Sequence, residues 1–168
     1  MKAALWLAVA TLAWGQSPVA VVKRPAPEKT LIFEVAIPAP RAAIWHAFST
    51  SEGLSAWLAI EATVDLRKGG EWTVHFPGGS TGGGTIVSFV PEQELTIAAL
   101  APDQFPTVRA ERTNAKFEFT GDGNATVVRL TQTGWKRGDE WDKAYEYLAE
   151  GNKQLLESLY QRFVNPAK

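Results

Sequence analysis

The sequence predicts an α+β domain in which an antiparallel sheet of about seven strands is covered by one long helix. Two observations carry this. Between Thr30 and Thr133, short β-rich runs alternate with turn residues, the mark of consecutive antiparallel strands. After Asp139, the residues Trp141, Tyr145, Leu148, Asn152, Leu155, Leu159 and Phe163 advance by three or four positions. That spacing traces one face of a helix over 139–163. A sheet must bury one face, and this helix is the element available to cover it.

Taken in order, the elements begin with a targeting segment. Met1-Lys2 gives a short positive start, "AALWLAVATLAW" is an uninterrupted apolar run, and Ala13 and Gly15 lie three and one before a cut ahead of Gln16. This is the layout of a signal peptide over 1–15. The run falls short of the ~20 apolar residues a membrane span needs. Export to a periplasmic or extracellular space is expected, with no membrane insertion after the signal is removed. Residues 16–29, "QSPVAVVKRPAPEK", carry three prolines and read as an extended linker. The domain proper then runs over 30–164.

"TLIFEVAIP" is a first strand ending at Pro38. "PAPRAAIWHAF" follows as a short helix with Pro40 in its first turn, and "TSEGLSAWL" as a second, capped by Thr50 or Ser51. Strands are expected at 60–66 and 71–76, at 84–90 and 94–100 around the turn "PEQ", and at 114–121 and 125–133 around "GDGN". "APDQFPTVRAER" between them reads as a longer loop. Asp139, Glu140 and Asp142 suit the positive end of the last helix, and Arg162 suits its other end.

The segment "HFPGGSTGGGTIV" holds five glycines between Gly78 and Gly84. A phosphate-binding loop of the Walker type needs Lys-Ser/Thr after its last glycine and then a helix. A dinucleotide loop also opens a helix. Here Gly84 runs into the strand "GTIVSFV". The glycines therefore join two strands of a curved sheet, and a mobile hairpin tip at a cavity mouth is expected.

Composition excludes several classes. Net charge is −1, and no run of like charges exceeds two, so there is no footprint for nucleic acid. Cysteine is absent, which removes disulfides and thiolate chemistry. The two histidines, His46 and His75, form no HxH or HExxH pattern, so no metal site or cofactor is expected. No serine stands in a G-x-S-x-G elbow. Asn124-Ala125-Thr126 matches a glycosylation sequon only formally.

Four blocks, "IWHAFSTSEGLSAWLA", "VDLRKGGEWTVHF", "GTIVSFVPEQELTIAAL" and "TVVRLTQTGW", resemble in order the family of the activator of Hsp90 ATPase homologue 1-like domain. That family belongs to the SRPBCC (START, Bet v 1-like) superfamily. The resemblance implies a helix-grip fold, with a curved sheet wrapped around the C-terminal helix and two short helices closing one end. Members bind lipids, sterols, aromatic polyketides or other apolar compounds in a cavity between sheet and helix, and a minority are cyclases, aromatases or related enzymes. No catalytic residue transfers. Many relatives carry a histidine in "T-H-x-G-F", where this chain has Thr131-Gln132-Thr133-Gly134-Trp135. Export also argues against Hsp90 as a partner.

Strand alternation points Trp72, Phe76, Phe117, Phe119, Trp141 and Tyr145 toward the space between sheet and helix. They form either a filled aromatic core or the wall of a cavity for a small apolar or aromatic ligand. Gln132, Tyr145 and Asn152 are the polar groups that would orient such a ligand. Asn152 is the sharpest, because it interrupts an apolar helix face and a buried amide needs a partner. Two other readings stay open: an enzyme of the cyclase, aromatase or hydratase type, and a protein-interaction module with a filled core.

Overall fold

The computed structural model describes residues 15–58 and 60–166. All but Gly15 of the expected signal segment lies outside them. The chain forms β1 (Ala20–Arg24), β2 (Thr30–Ile37), α1 (Arg41–Ser49), α2 (Ser51–Leu58), β3 (Ala62–Val64), β4 (Glu71–His75), β5 (Thr81–Val90), β6 (Glu94–Ala99), α3 (Pro106–Glu111), β7 (Thr113–Thr120), β8 (Thr126–Thr133) and α4 (Asp139–Val164). The strands make one antiparallel sheet in the order β1-β2-β8-β7-β6-β5-β4-β3. It stays open, with β1 and β3 as its edges. The expected fold is the one observed: α4 lies along a curved, unclosed sheet.

Register follows from which face is apolar. Leu31, Gln132, Ala115, Ile97 and Ile86 are successive cross-strand partners on five strands, and all five are buried. Their neighbours in sequence point the other way, as a pleated strand requires. Beneath them α1 and α2 plug one end of the sheet. Phe48 is fully buried there, with ring centroids 5.0 Å from both Phe117 and Phe119. The indole N–H of Trp57 donates to Ala47 O at 2.9 Å, and that of Trp72 to Phe48 O at 2.8 Å. Each tryptophan thus buries a large ring without leaving its donor unpaired. Thr50 accepts the Gly53 N–H and so is the cap of α2. Ser51 and Ser55 accept N–H groups of Val64 and Ala62, which fastens edge strand β3 to α2.

Four features differ from expectation. Residues 20–24 of the expected linker form β1, paired along its whole length with β2. Val19 is buried and Val21 packs on the core, so the prolines at 18 and 25 bound an edge strand rather than dissolve it. The stretch expected as a loop contains α3. Pro106 begins it, the Glu140 carboxylate accepts the Thr107 and Val108 N–H groups, and Val108 packs with Phe105, Trp141 and Ala144. β5 starts three residues earlier than expected, so that Gly82, Gly83 and Gly84 lie inside it, opposite Val74, Thr73 and Trp72. The connection is residues 76–80 alone. A bulge between Ile86 and Ser88 also shifts which side chains of β5 face inward. Among the described residues, no helix is long and apolar enough to cross a membrane.

Candidate functional site

The aromatic cluster fills one end of the space under the sheet and leaves the other end open. There a cleft of about 550 Å³ lies between β4, the β4–β5 hairpin, the 100–104 loop, the end of α2 and one side of α4. Trp72 and Val74 face it from β4, and Leu58 and Ile60 close it from below. Tyr147, Leu148, Gly151, Asn152 and Leu155 form the α4 wall. These positions fall within one arc of about 140° on the helix at ~100° per residue. A larger depression of about 850 Å³ runs along β1 and α4. Its lining of Lys23, Glu146, Glu150 and Lys153 is charged, and it is a shallow groove rather than an apolar pocket.

The eight side chains singled out in sequence divide between cleft and core. Trp72, Phe76 and Asn152 line the cleft. Phe76 sits at its rim, 46% exposed, with its ring over Gly82. Phe117 and Phe119 belong to the filled aromatic cluster. Trp141 packs in a second small core with Ala101, Phe105, Val108 and Ala144, edge-on to Trp135. Tyr145 is buried, and its hydroxyl donates to Thr30 O at 2.9 Å. Gln132 is buried behind the cleft wall, where its Nε2 donates to Thr113 Oγ1 at 2.8 Å. Asn152 Nδ2 donates to Gln132 Oε1, also at 2.8 Å. The half-buried amide thus meets a side chain.

Sequence reasoning did not single out Tyr147, Gly151 or the 100–104 loop. A signal for two of them was present: Tyr147 and Gly151 lead at four-residue steps to Leu155 of the chosen stripe, and a glycine interrupts the middle of a long helix.

The cleft carries little chemistry. Among the described lining residues there is no lysine, arginine or histidine, and Asp103 is the only carboxylate. Asp103 pairs with Arg109 at 3.2 Å. Arg109 also donates to Ala101 O and Thr81 Oγ1, tying loop to hairpin behind the rim. His46 is exposed elsewhere on α1, and His75 bonds Thr63 Oγ1 at 2.9 Å on the other side of β4. Burial, with the nearby Glu146 charge adding, pushes the Tyr145 phenol above its ordinary value. Partial desolvation raises the Glu140 carboxyl, but the N–H groups of Val108 and Thr107 outweigh it and hold it below the ordinary value. Neither group faces the cleft. Among the described residues, no cluster of three or more His, Cys, Asp or Glu side chains could hold a metal ion.

Comparison with known proteins agrees with this architecture. The model of the family described as "Activator of Hsp90 ATPase homolog 1-like protein" matches residues 38–163. No curated protein matches. Among solved structures, protein MLL2253 from Mesorhizobium loti is similar at 20% identity and a TM-score of 0.69, over 83% of this chain and 100% of that one. The Aha1 dimer from Colwellia psychrerythraea is similar at 19% identity and a TM-score of 0.59, over 80% of this chain and 95% of that one. DynU16, a protein in the dynemicin biosynthetic locus, is similar at 15% identity and a TM-score of 0.66, over 83% of this chain and 48% of that one.

Proposed function

The chain belongs to the activator of Hsp90 ATPase homologue 1-like family, and from that premise we propose that it is a non-covalent binder of a small apolar or aromatic molecule, working outside the cytosol. The observation that carries this reading is the cleft of about 550 Å³ beside an otherwise filled core. Its size suits a small organic ligand, and so does its make-up of apolar walls with few polar groups. Placement of a structural relative in a biosynthetic locus supports a small molecule as the ligand class. Export rests on the apolar start of the chain and the small residues before Gln16.

An enzymatic reading gains no comparable support. General acid–base work needs a titratable group within reach of the reacting atoms. Both histidines and Tyr145 point elsewhere, and the one carboxylate at the rim is paired with Arg109. Incubation of the purified chain with a lipid and metabolite extract, followed by native mass spectrometry, tests the binding reading. A retained low-mass species lost on filling the cleft is the expected result. A spectrum of bare protein under all conditions would refute it. Export predicts a mature chain beginning at Gln16 in the secreted fraction, and an intact Met1 start in the cytosol would contradict it.

A further inference from the structure

We propose that the cleft selects a neutral, largely apolar compound bearing a hydroxyl or N–H group, which Asn152 reads as a hydrogen-bond acceptor. This rests on the reading of the cleft as the ligand site.

The orientation of Asn152 follows from a chain of three side chains. Gln132 is only 3% exposed and donates its Nε2–H to Thr113 Oγ1. Gln132 Oε1 is then the atom left to face α4, and it accepts from Asn152 Nδ2. With its amide nitrogen held inward, Asn152 has Oδ1 left over, without a partner among the described residues. Among those residues, no buried side-chain oxygen or nitrogen lacks a partner. Oδ1 is therefore not sealed inside protein, and because Asn152 lines the cleft, the oxygen opens into it. An amide oxygen accepts and never donates. It bonds a hydroxyl or N–H, gives an ether nothing, and repels a carboxylate.

Charge points the same way. Burying an anion is costly unless a counter-charge meets it, and the described lining holds no cationic side chain. Arg109, behind the rim, already has Asp103, Ala101 O and Thr81 Oγ1 as partners. Asp103 at the rim adds negative charge. Fatty acids and other carboxylates are thus poor fits, while phenols, alcohols and indole-like amines suit the site.

Titration calorimetry on the intact chain with 2-naphthol, 2-methoxynaphthalene and 2-naphthoate separates these classes, because the ring system is constant. The expected result is 2-naphthol about tenfold tighter than the methyl ether, the worth of one neutral hydrogen bond at the upper end of its range. Naphthoate should be weaker still. In Asn152→Leu the gap between naphthol and ether should close. The ranking on the unaltered chain decides the matter even if that variant, which strips Gln132 of its donor, folds poorly. Equal binding of naphthol and ether overturns this proposal and leaves the cleft reading standing. Tighter ether binding, which would mean an N–H points outward, or preference for naphthoate overturns it as well. If none of the three binds, this proposal falls, while the cleft reading is decided by the mass spectrometry.

Discussion

Gly151 offers a test in which stability and binding move in opposite directions. It lies in the interior of α4, and a β-carbon built there meets no atom within 4 Å. Tyr147 and Leu155, one turn on either side, both line the cleft, so that β-carbon enters the cleft. Glycine inside a helix costs about 0.8–1.0 kcal/mol relative to alanine, because its backbone has more freedom to lose. Gly151→Ala removes most of that cost without a clash. We expect a gain of about 0.5–1 kcal/mol and a rise in melting temperature of about 1–4 °C. Gly151→Phe keeps the helix but projects a ring into the roughly 550 Å³ cleft, so 2-naphthol binding should fall at least about tenfold. Denaturant unfolding followed by tryptophan fluorescence reads the first effect, and calorimetry reads the second. Destabilisation by alanine would mean that the helix face is not open. Unchanged binding by the phenylalanine variant would mean that ligand does not enter this cleft.

Three further outcomes follow from the surrounding structure. Tyr145→Phe leaves Thr30 O without its donor and should cost about 1 kcal/mol at neutral pH, with ligand affinity unchanged because the ring lies outside the cleft; altered affinity at unchanged stability would count against this placement. The raised phenol value means that the folded chain holds this proton more tightly than the unfolded one. Its contribution is therefore complete below the ordinary value of 10.0 and is lost as pH rises through the folded value, so the phenylalanine variant should show a shallower alkaline decline in stability. Glu140 has the opposite sign. Its depressed carboxyl supports the docking of α3 above the ordinary value of 4.5 and loses that support as pH falls through the lower folded value. The amide signals of Thr107 and Val108 should report a midpoint below 4.5, and a midpoint at or above it would refute the contact. Finally, Gly83→Ala should destabilise by about 2–4 kcal/mol, since Gly83 has φ +82 and a β-carbon there would sit 2.0 Å from Trp72 O. Gly82→Ala meets only the end of the Phe76 ring at 2.9 Å and should be much milder; equal costs at the two positions would contradict the register of β4 and β5.

The fold was legible where one periodicity served one surface. β7 and β8 alternate cleanly because one face meets the core and the other meets solvent, and their spans were readable to within a residue. α4 was readable in length but not in function. Its apolar residues serve three surfaces: Trp141 and Ala144 meet α3, Ala149 and Leu159 meet the main core, and Leu148 and Leu155 meet the cleft. A single stripe drawn from Trp141 to Phe163 merges all three, which is why Trp141 and Tyr145 were grouped with Asn152. β1 was missed for a different reason. It pairs with the next strand across the short connection 25–29, Arg24 lying opposite Thr30, but the prolines that bound it gave the stretch the composition of a spacer. The hydrogen bond from Asn152 to Gln132 joins residues on α4 and β8. Sequence could state only that the amide needed a partner.

The glycine run and Gly151 together account for why one end of the interior is open. Where α1 and α2 meet the sheet, Phe48, Phe117, Phe119 and Trp57 supply enough ring volume to close the space. At the other end, Gly82 and Gly83 on β5 face the cleft from one wall and Gly151 faces it from the opposite wall. None of the three has a side chain to fill the gap. Yet they are glycine for different physical reasons. At Gly83 and Gly84 the neighbouring strands come so close that a β-carbon would lie 2.0 Å from Trp72 O or 2.1 Å from Ala98 O. These two are demanded by the backbone. At Gly151 nothing opposes a β-carbon, and the helix itself would favour one. Folding gives no reason for glycine there, whereas keeping the cleft wide does. Gly82 stands between these cases, because its contact is the movable Phe76 ring at the rim. A residue that weakens its helix while enlarging a cleft is the pattern expected where stability is traded for a binding site.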